Sequence, residues 1–297
     1  MERLRRVASV WSWLPAFRAV AETQHLPTAS TELNVSASAL SRTIRLLETD
    51  LGRTLFERQG RRIVLNEAGE RLLVAVRDAM RRVHDGMSLM DTQTLAGPLH
   101  IASTNGVTDI VLARALANLR DHAPDLVPNV RATDDTGFVA ALLQGQLDVA
   151  LTSAPTAAPN LSRVHLGDVV SGVYAPVGHA ALASRRKPTA GHPFVLWGQR
   201  NDGTTCDGWP GAAPRTVIAV VPQPHLAAKL ALRMGALVVL PEALARPAVN
   251  RGELELVRTK LVQPVPVYGF HRHSLLPGGR AETLIELARS AIAGGLK

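Results

Sequence analysis

The chain has 297 residues, about twice the ~150 of a typical domain, so two domains of similar or unequal size are expected. With 46% hydrophobic and 20% charged residues it is not a disordered chain. Its single cysteine, Cys206, excludes an intramolecular disulfide and any cysteine-based zinc site. Lysine and arginine number 33 against 25 acidic residues, a net charge of +8 that suits a polyanion such as nucleic acid. Nearly all of that positive charge is arginine, lysine occurring only at Lys187, Lys229, Lys260 and Lys297. No stretch reaches the roughly 18 apolar residues of a membrane span, and cysteine usage fits a reducing cytoplasm.

Arg3, Arg5 and Arg6 ahead of the apolar stretch Val7 to Phe17 imitate a secretory signal. Ser12, Pro15 and Arg18 interrupt that pattern, and Leu14, Phe17, Val20 and Ala21 fall at helical spacing, which favours an amphipathic helix. Residues 14 to 65 read as three short helices, Leu14 to Gln24, Thr28 to Leu33 and Ser36 to Leu51, followed by a basic hairpin. Leu40, Ile44, Leu47 and Leu51 form one stripe of the third helix, and Asn34-Val35 joins it tightly to the second, as in a helix-turn-helix. Ser36 is its N-cap, and Ala37, Ser38, Ser41, Arg42 and Arg45 lie off the apolar stripe, on a face free to meet DNA. After Gly52, Leu55 to Arg58 and Arg61 to Leu65 flank Gln59-Gly60 as a two-stranded wing.

Asn66 caps a long helix from Glu67 to Met90, with Glu67 and Glu70 in the first turn. Leu73, Val76, Met80, Val83, Met87 and Met90 alternate steps of three and four, a heptad seam that predicts a partner helix and hence a dimer. The competing reading packs this stripe on the chain's own body. Residues 93 to 98 read as a hinge. Beyond it, strands at 99–104, 127–133, 147–152, 164–166, 169–177, 194–198, 216–221, 237–240 and 265–270 alternate with helices at 107–122, 136–145, 226–233 and 281–293. That alternation predicts an α/β domain with mainly parallel sheets.

The segments LNVSASALSRTIRLLE (33–48), LGRTLFER (51–58) and LNEAGE (65–70) resemble the LysR-type transcriptional regulators. GQLDVAL (145–151), YAPVGH (174–179) and MGALVVLP (234–241) extend the resemblance over nearly the whole chain. It implies a mainly α winged helix-turn-helix over 1–65, a dimerising linker helix and hinge over 66–96, and an α/β effector-binding domain over 97–297. That last domain would comprise two subdomains, like a periplasmic binding protein. The partners implied are double-stranded DNA at an imperfect palindromic operator, a small-molecule effector, further copies of the chain as homodimer or homotetramer, and RNA polymerase. Where that family often carries Gln-Pro, this chain has Ala37-Ser38. The usual amide contact to a base is missing, and Ala37 offers only apolar contact, for example to a thymine methyl.

Candidate DNA contacts are therefore Ser36, Ala37, Ser38, Ser41, Arg42 and Arg45 in the major groove, with Arg61 and Arg62 at the backbone or minor groove. The bland alternative pairs Arg42 and Arg45 with Glu48 or Asp50. For the effector, Ser103, Thr104, Asn105 and Gly106 stand where a strand ends and a helix begins, a natural receptor for a carboxylate or similar anion. Thr152 and Ser153, then Trp197, Gly198 and Gln199, then Pro222 and Gln223 occupy comparable strand ends. Each could equally be a cap or turn residue, and Trp197 a core residue. No hydrolase, metalloprotease or phosphate-loop motif is present, and His271 and His273 lack partners at metal-ligand spacing, so neither catalysis nor a cofactor or metal is expected. The alternative function is a solute-binding module whose N-terminal domain serves only oligomerisation.

Overall fold

The computed structural model describes residues 2–59, 62–90, 95–104, 106–134, 137–184, 186–200, 203–273 and 279–294. Two compact units result, Met1–Met87 and Ser88–Lys297.

In the first unit the helices are α1 (Glu2–Trp11), α2 (Leu14–Thr23), α3 (Leu26–Leu33) and α4 (Ala37–Leu51). The strands β1 (Phe56–Gln59) and β2 (Arg62–Leu65) pair antiparallel, and α5 (Glu67–Met90) follows. The α3–α4 turn is tight because Asn34 adopts a left-handed conformation that returns its N–H to Ser30 and Thr31. Gly52 stops α4 in the same way. Phe17, Val20, Leu40, Leu47, Leu55, Leu73 and Val76 form one core, with Phe17 edge-on to Phe56 of the wing. Arg77 of α5 reaches Glu22 of α2 at 2.9 Å. Burial pushes the Glu22 carboxyl up, but hydrogen bonds from Arg77 and Arg18 outweigh it and hold it below the ordinary 4.5.

The second unit contains two five-stranded sheets. The first, ordered β4-β3-β5-β12-β6, is built from β3 (Gly97–Ser103), β4 (Leu126–Ala132), β5 (Val149–Thr152), β6 (Leu161–Val169) and β12 (Val265–Arg272). Helices α6 (Gly106–His122) and α11 (Arg280–Ala293) cover one face, through Val111, Ala115, Leu284 and Ala288; α7 (Gly137–Leu143) covers the other with Phe138 and Leu142. The second sheet, ordered β11-β7-β10-β8-β9, is built from β7 (Ser171–Pro176), β8 (Pro193–Trp197), β9 (Thr216–Val221), β10 (Leu237–Pro241) and β11 (Leu254–Val257). On one face, Val195, Trp197 and Val238 meet α9 (Pro224–Met234) and α10 (Glu242–Asn250). Over the opposite face, with Val173, Phe194 and Val239, pack the one-turn α8 (Ala180–Ala183), Trp209, Ala213 and Val262.

The expectation of mainly parallel sheets is corrected. Each sheet has two parallel and two antiparallel pairings, because β12 runs back against β5 and β6, and β7 runs back against β10 and β11. Strand β11 and helices α1, α8 and α10 were not foreseen. The chain crosses between the sheets at Val170 and again between Val257 and Val265, so the first subdomain is assembled from discontinuous segments.

A buried ion pair organises the β8–β9 connection: Arg215 Nη1 donates to Asp207 Oδ2 at 2.6 Å, their side chains 8% and 1% exposed. Asp207 Oδ1 also accepts from Thr205 Oγ1 at 2.6 Å and from the Trp209 backbone N–H at 3.1 Å. Asp207→Ala leaves a guanidinium buried without its counter-charge and is expected to lower the unfolding free energy by about 3–5 kcal/mol, read from urea denaturation.

Candidate DNA interface and effector cleft

The recognition face is built on α4. Ser36 Oγ accepts from the Ala39 N–H at 3.1 Å and lies 3.0 Å from Ser38 Oγ, so the expected N-cap is in place. Leu40, Ile44 and Leu47 face the core, which leaves Ser36, Ser38, Arg42 and Arg45 exposed and Ala37 and Ser41 half-buried. Neither Arg42 nor Arg45 is paired with a carboxylate among the described residues. Glu48 is engaged elsewhere: its Oε1 accepts the Leu55 N–H at 2.7 Å and the Phe56 N–H at 3.3 Å, tying the start of the wing to the recognition helix. Sequence reasoning treated Glu48 only as a partner for arginine, and nothing in its spacing signals that it anchors a backbone turn. Arg62 lies in β2, while Arg61 lies outside the described residues.

Of the seam on α5, Leu73 and Val76 are buried in the core of their own unit and Met80 packs partly against it. Val83 and Met87 are 46% and 61% exposed. The first half of the stripe is therefore core, as the competing reading expected, while Val83 and Met87 present apolar side chains to solvent. Met90 ends the helix.

In the second unit β3, β5, β8 and β9 run parallel to neighbours within their sheets, and the helices that follow β3 and β9 start beside one another between the two subdomains, where the effector cleft is expected. Gly106 opens α6 and Pro224 opens α9, and a Cβ on Gly106 would overlap the Pro224 ring, so only glycine lets these two helix starts meet. Across the same cleft Arg200 Nη2 donates to Ser153 Oγ at 2.8 Å. The effector residues named above gather at or behind this cleft, but several are already committed. Ser103 is buried, its Oγ 2.6 Å from both Thr108 Oγ1 and Asp109 Oδ1, so it closes the first turn of α6. Thr152 is buried with its Oγ1 accepting the Ala154 N–H at 3.0 Å.

Trp197 is fully buried and its Nε1 donates to Val239 O at 2.6 Å. It supports the cleft from beneath as a core residue, which corrects its assignment as an effector contact. Thr104 donates its N–H to Leu151 O at 3.2 Å. Gly198 takes φ +63°, accepts the Cys206 N–H at 3.1 Å and forms the wall with Gln199, which bridges to Thr205. Pro222 and Gln223 are exposed, and Gln223 occupies the cap position of α9 without a side-chain cap. Asn105 lies outside the described residues. The residue that sequence reasoning missed is Arg200, the cation immediately after the Trp197-Gly198-Gln199 strand end; its distance from Ser153 in sequence hid the contact. No helix among the described residues is long and apolar enough to cross a membrane, and no cluster of metal-ligating side chains occurs among them.

If the Arg200–Ser153 bond holds the subdomains together, Arg200→Ala and Ser153→Ala are non-additive. Their double-mutant cycle in urea denaturation is expected to give a coupling of about 1 kcal/mol; additive effects would deny the bond that role.

Family models match two stretches: a LysR substrate binding domain over residues 92–293 and a bacterial regulatory helix-turn-helix protein of the lysR family over residues 11–70. A probable hydrogen peroxide-inducible genes activator of Mycobacterium xenopi is 34% identical over 59% of this chain and 94% of its own length. A protein of the same description from Mycobacterium avium is 32% identical over 59% of this chain, and the match spans only 57% of that relative. The solved structure of ArgP from Mycobacterium tuberculosis superposes with a TM-score of 0.69 at 21% identity, covering 95% of this chain and 97% of that one, a likeness of fold.

Proposed function

Since the chain belongs to the LysR family of transcriptional regulators, we propose that it recognises a specific operator through α4 and is controlled by a small anion in the inter-subdomain cleft. The observation that carries the DNA reading is the exposure of Arg42 and Arg45 without carboxylate partners on the face that Ser36, Ala37, Ser38 and Ser41 complete. Arginine at a recognition helix reads guanine bidentately, hydroxyls at the helix start anchor phosphate, and Ala37 meets a thymine methyl. Arg62 of β2, and Arg61 next to it in sequence, supply backbone or minor-groove contacts.

Selection of bound sequences from randomised duplex DNA at about 150 mM salt tests this. The expected product is an imperfect palindrome that Arg42→Ala/Arg45→Ala fails to recover, each bidentate contact being worth about 1–3 kcal/mol of discrimination. Equal affinity for the selected and random duplexes would leave specific regulation without a basis. It would favour the solute-binding alternative, in which the N-terminal unit serves only assembly.

The palindrome mirrors a homodimer, for which the exposed Val83 and Met87 on the distal turns of α5 are the contact. The sheet edges β4 and β9 also expose Val127, Val130, Ile218 and Val220, a second apolar surface from which a homotetramer can be built. Val83→Asp/Met87→Asp is expected to shift sedimentation towards the monomer and weaken operator binding; unchanged assembly would assign the dimer to another surface.

The effector reading rests on Arg200, a partly buried cation that reaches from the second subdomain to Ser153 of the first. An anion that binds there takes Arg200 from Ser153 and so distinguishes the closed from the open arrangement, the differential affinity that control requires. The change reaches the operator as a different spacing or bend, and from there RNA polymerase. The names of the mycobacterial relatives raise a peroxide response. In this chain it would run through Cys206, which is buried and has no second cysteine with which to pair, so the anion reading is the better supported. This function belongs in the cytoplasm, where operator DNA and metabolite anions are both present.

A further inference from the structure

The second sheet is unequally covered. Beneath α8 and the segments 209–215 and 258–261 lies a cavity of about 1060 Å³, on the face opposite α9 and away from the strand ends that form the cleft. Its lining includes Arg186, Lys187, Arg258 and Lys260, all exposed. None of the four is paired with a carboxylate among the described residues, and no described carboxylate lines the cavity. Arg215 also lines it, but that charge is neutralised by Asp207, and its guanidinium lies 5.3 Å from the centre of the Trp209 ring, which forms the floor. The remaining four cations converge on one concavity and repel one another with nothing to offset them. A concave wall of one sign concentrates its field and draws in counter-charge. Thr189, Thr216 and Thr259 and the left-handed Gly191 add hydroxyl and backbone donors to the same surface.

We infer that this cavity is a binding site for a small phosphate-bearing anion carrying two or more charges, distinct from the effector cleft. Arg186 and Lys187 from one segment and Arg258 and Lys260 from another line the same cavity, so such an anion can take charge-assisted hydrogen bonds from two separate stretches of chain. At about 1060 Å³ the cavity lies at the upper end of the roughly 300–1,000 Å³ usual for ligand pockets, so it has ample room for a small polyanion. The cavity is also tied to the cleft. The segment that begins at Gly198, carries Arg200 and accepts the Cys206 N–H continues through Asp207 and Trp209 to Arg215. An anion bound here therefore touches the same stretch of chain that presents Arg200.

Isothermal titration of the full chain with inorganic pyrophosphate, in phosphate-free buffer at about 150 mM chloride, tests the site. The expected result is saturable binding at one site per protomer, unchanged by Arg42→Ala/Arg45→Ala. Arg258→Gln/Lys260→Gln, and independently Arg186→Gln/Lys187→Gln on the facing wall, are each expected to weaken it by about tenfold or more, as loss of two charge-assisted bonds requires. No saturable binding to the native chain, or equal affinity in both double variants with unchanged melting temperature, overturns the proposal. A parallel titration with a short duplex of random sequence separates the other source of phosphate. If the cavity variants weaken duplex binding while pyrophosphate fails to bind, the cations serve DNA, and the small-ligand site is overturned.

Discussion

Everything in the second unit depends on the chain crossing twice between its two sheets. Val170 alone separates β6 from β7, and the return from β11 to β12 places the last strand between β5 and β6. With both passages short, the subdomains cannot part by more than a rotation about those two strands, and the helices that follow β3 and β9 are held starting beside one another. The cleft follows from this. Gly106 and Pro224 meet because the helices that follow β3 and β9 start from opposite walls, and the absent Cβ at Gly106 sets how closely they approach. Arg200 then spans the remaining gap to Ser153. A hinge of two strands and a polar latch is the kind of bistable element on which a ligand can act.

Polar groups in this unit fall into two kinds. Ser103, Thr152, Asp207 and Arg215 are buried, and their hydrogen bonds go to neighbours that shape a turn or a helix start. Burying them without those partners would cost more than the bonds return. The four cations of the distal cavity differ, because no carboxylate among the described residues pairs with them, and Arg200 differs in another way, its guanidinium reaching Ser153 Oγ across the subdomains as well as the nearby Thr205 carbonyl. Such groups are poor contributors to stability and therefore mark places where a ligand completes the interaction. The same distinction separates Glu48, occupied by the wing, from Arg42 and Arg45, left facing outward.

Local periodicity made much of the architecture legible. The stripe of Leu40, Ile44 and Leu47, the Ser36 cap and the Gly52 stop defined α4; Asn66 and the regular apolar steps defined α5 with the bounds Glu67 and Met90; the β-branched run Thr216 to Val221 defined β9. What was missed has particular causes. Strand β11 is only four residues, and its Glu-Leu alternation is too short to stand out and is not followed by its burial; α10 contains Pro247, which reads as a helix breaker, and α8 is a single turn. Trp197 sits at a strand end, where exposure is the usual expectation, yet the strand is buried on both faces and its indole N–H finds a carbonyl of the neighbouring β10.

The sequence by itself determined most of the order of the elements, the cap and apolar stripe of α4 and the division into a helix-turn-helix and a substrate-binding-like part, because caps, breakers and hydrophobic period act over a few residues and are written locally. Only the tertiary structure decided strand direction, the pairing of Arg200 with Ser153, the role of Glu48 and the convergence of Arg186, Lys187, Arg258 and Lys260. These depend on contacts between residues far apart in the chain, such as the pairing of His271 with Val149, 122 positions away. No local propensity encodes them; they arise when the sheets close and long-range burial selects which side chains meet.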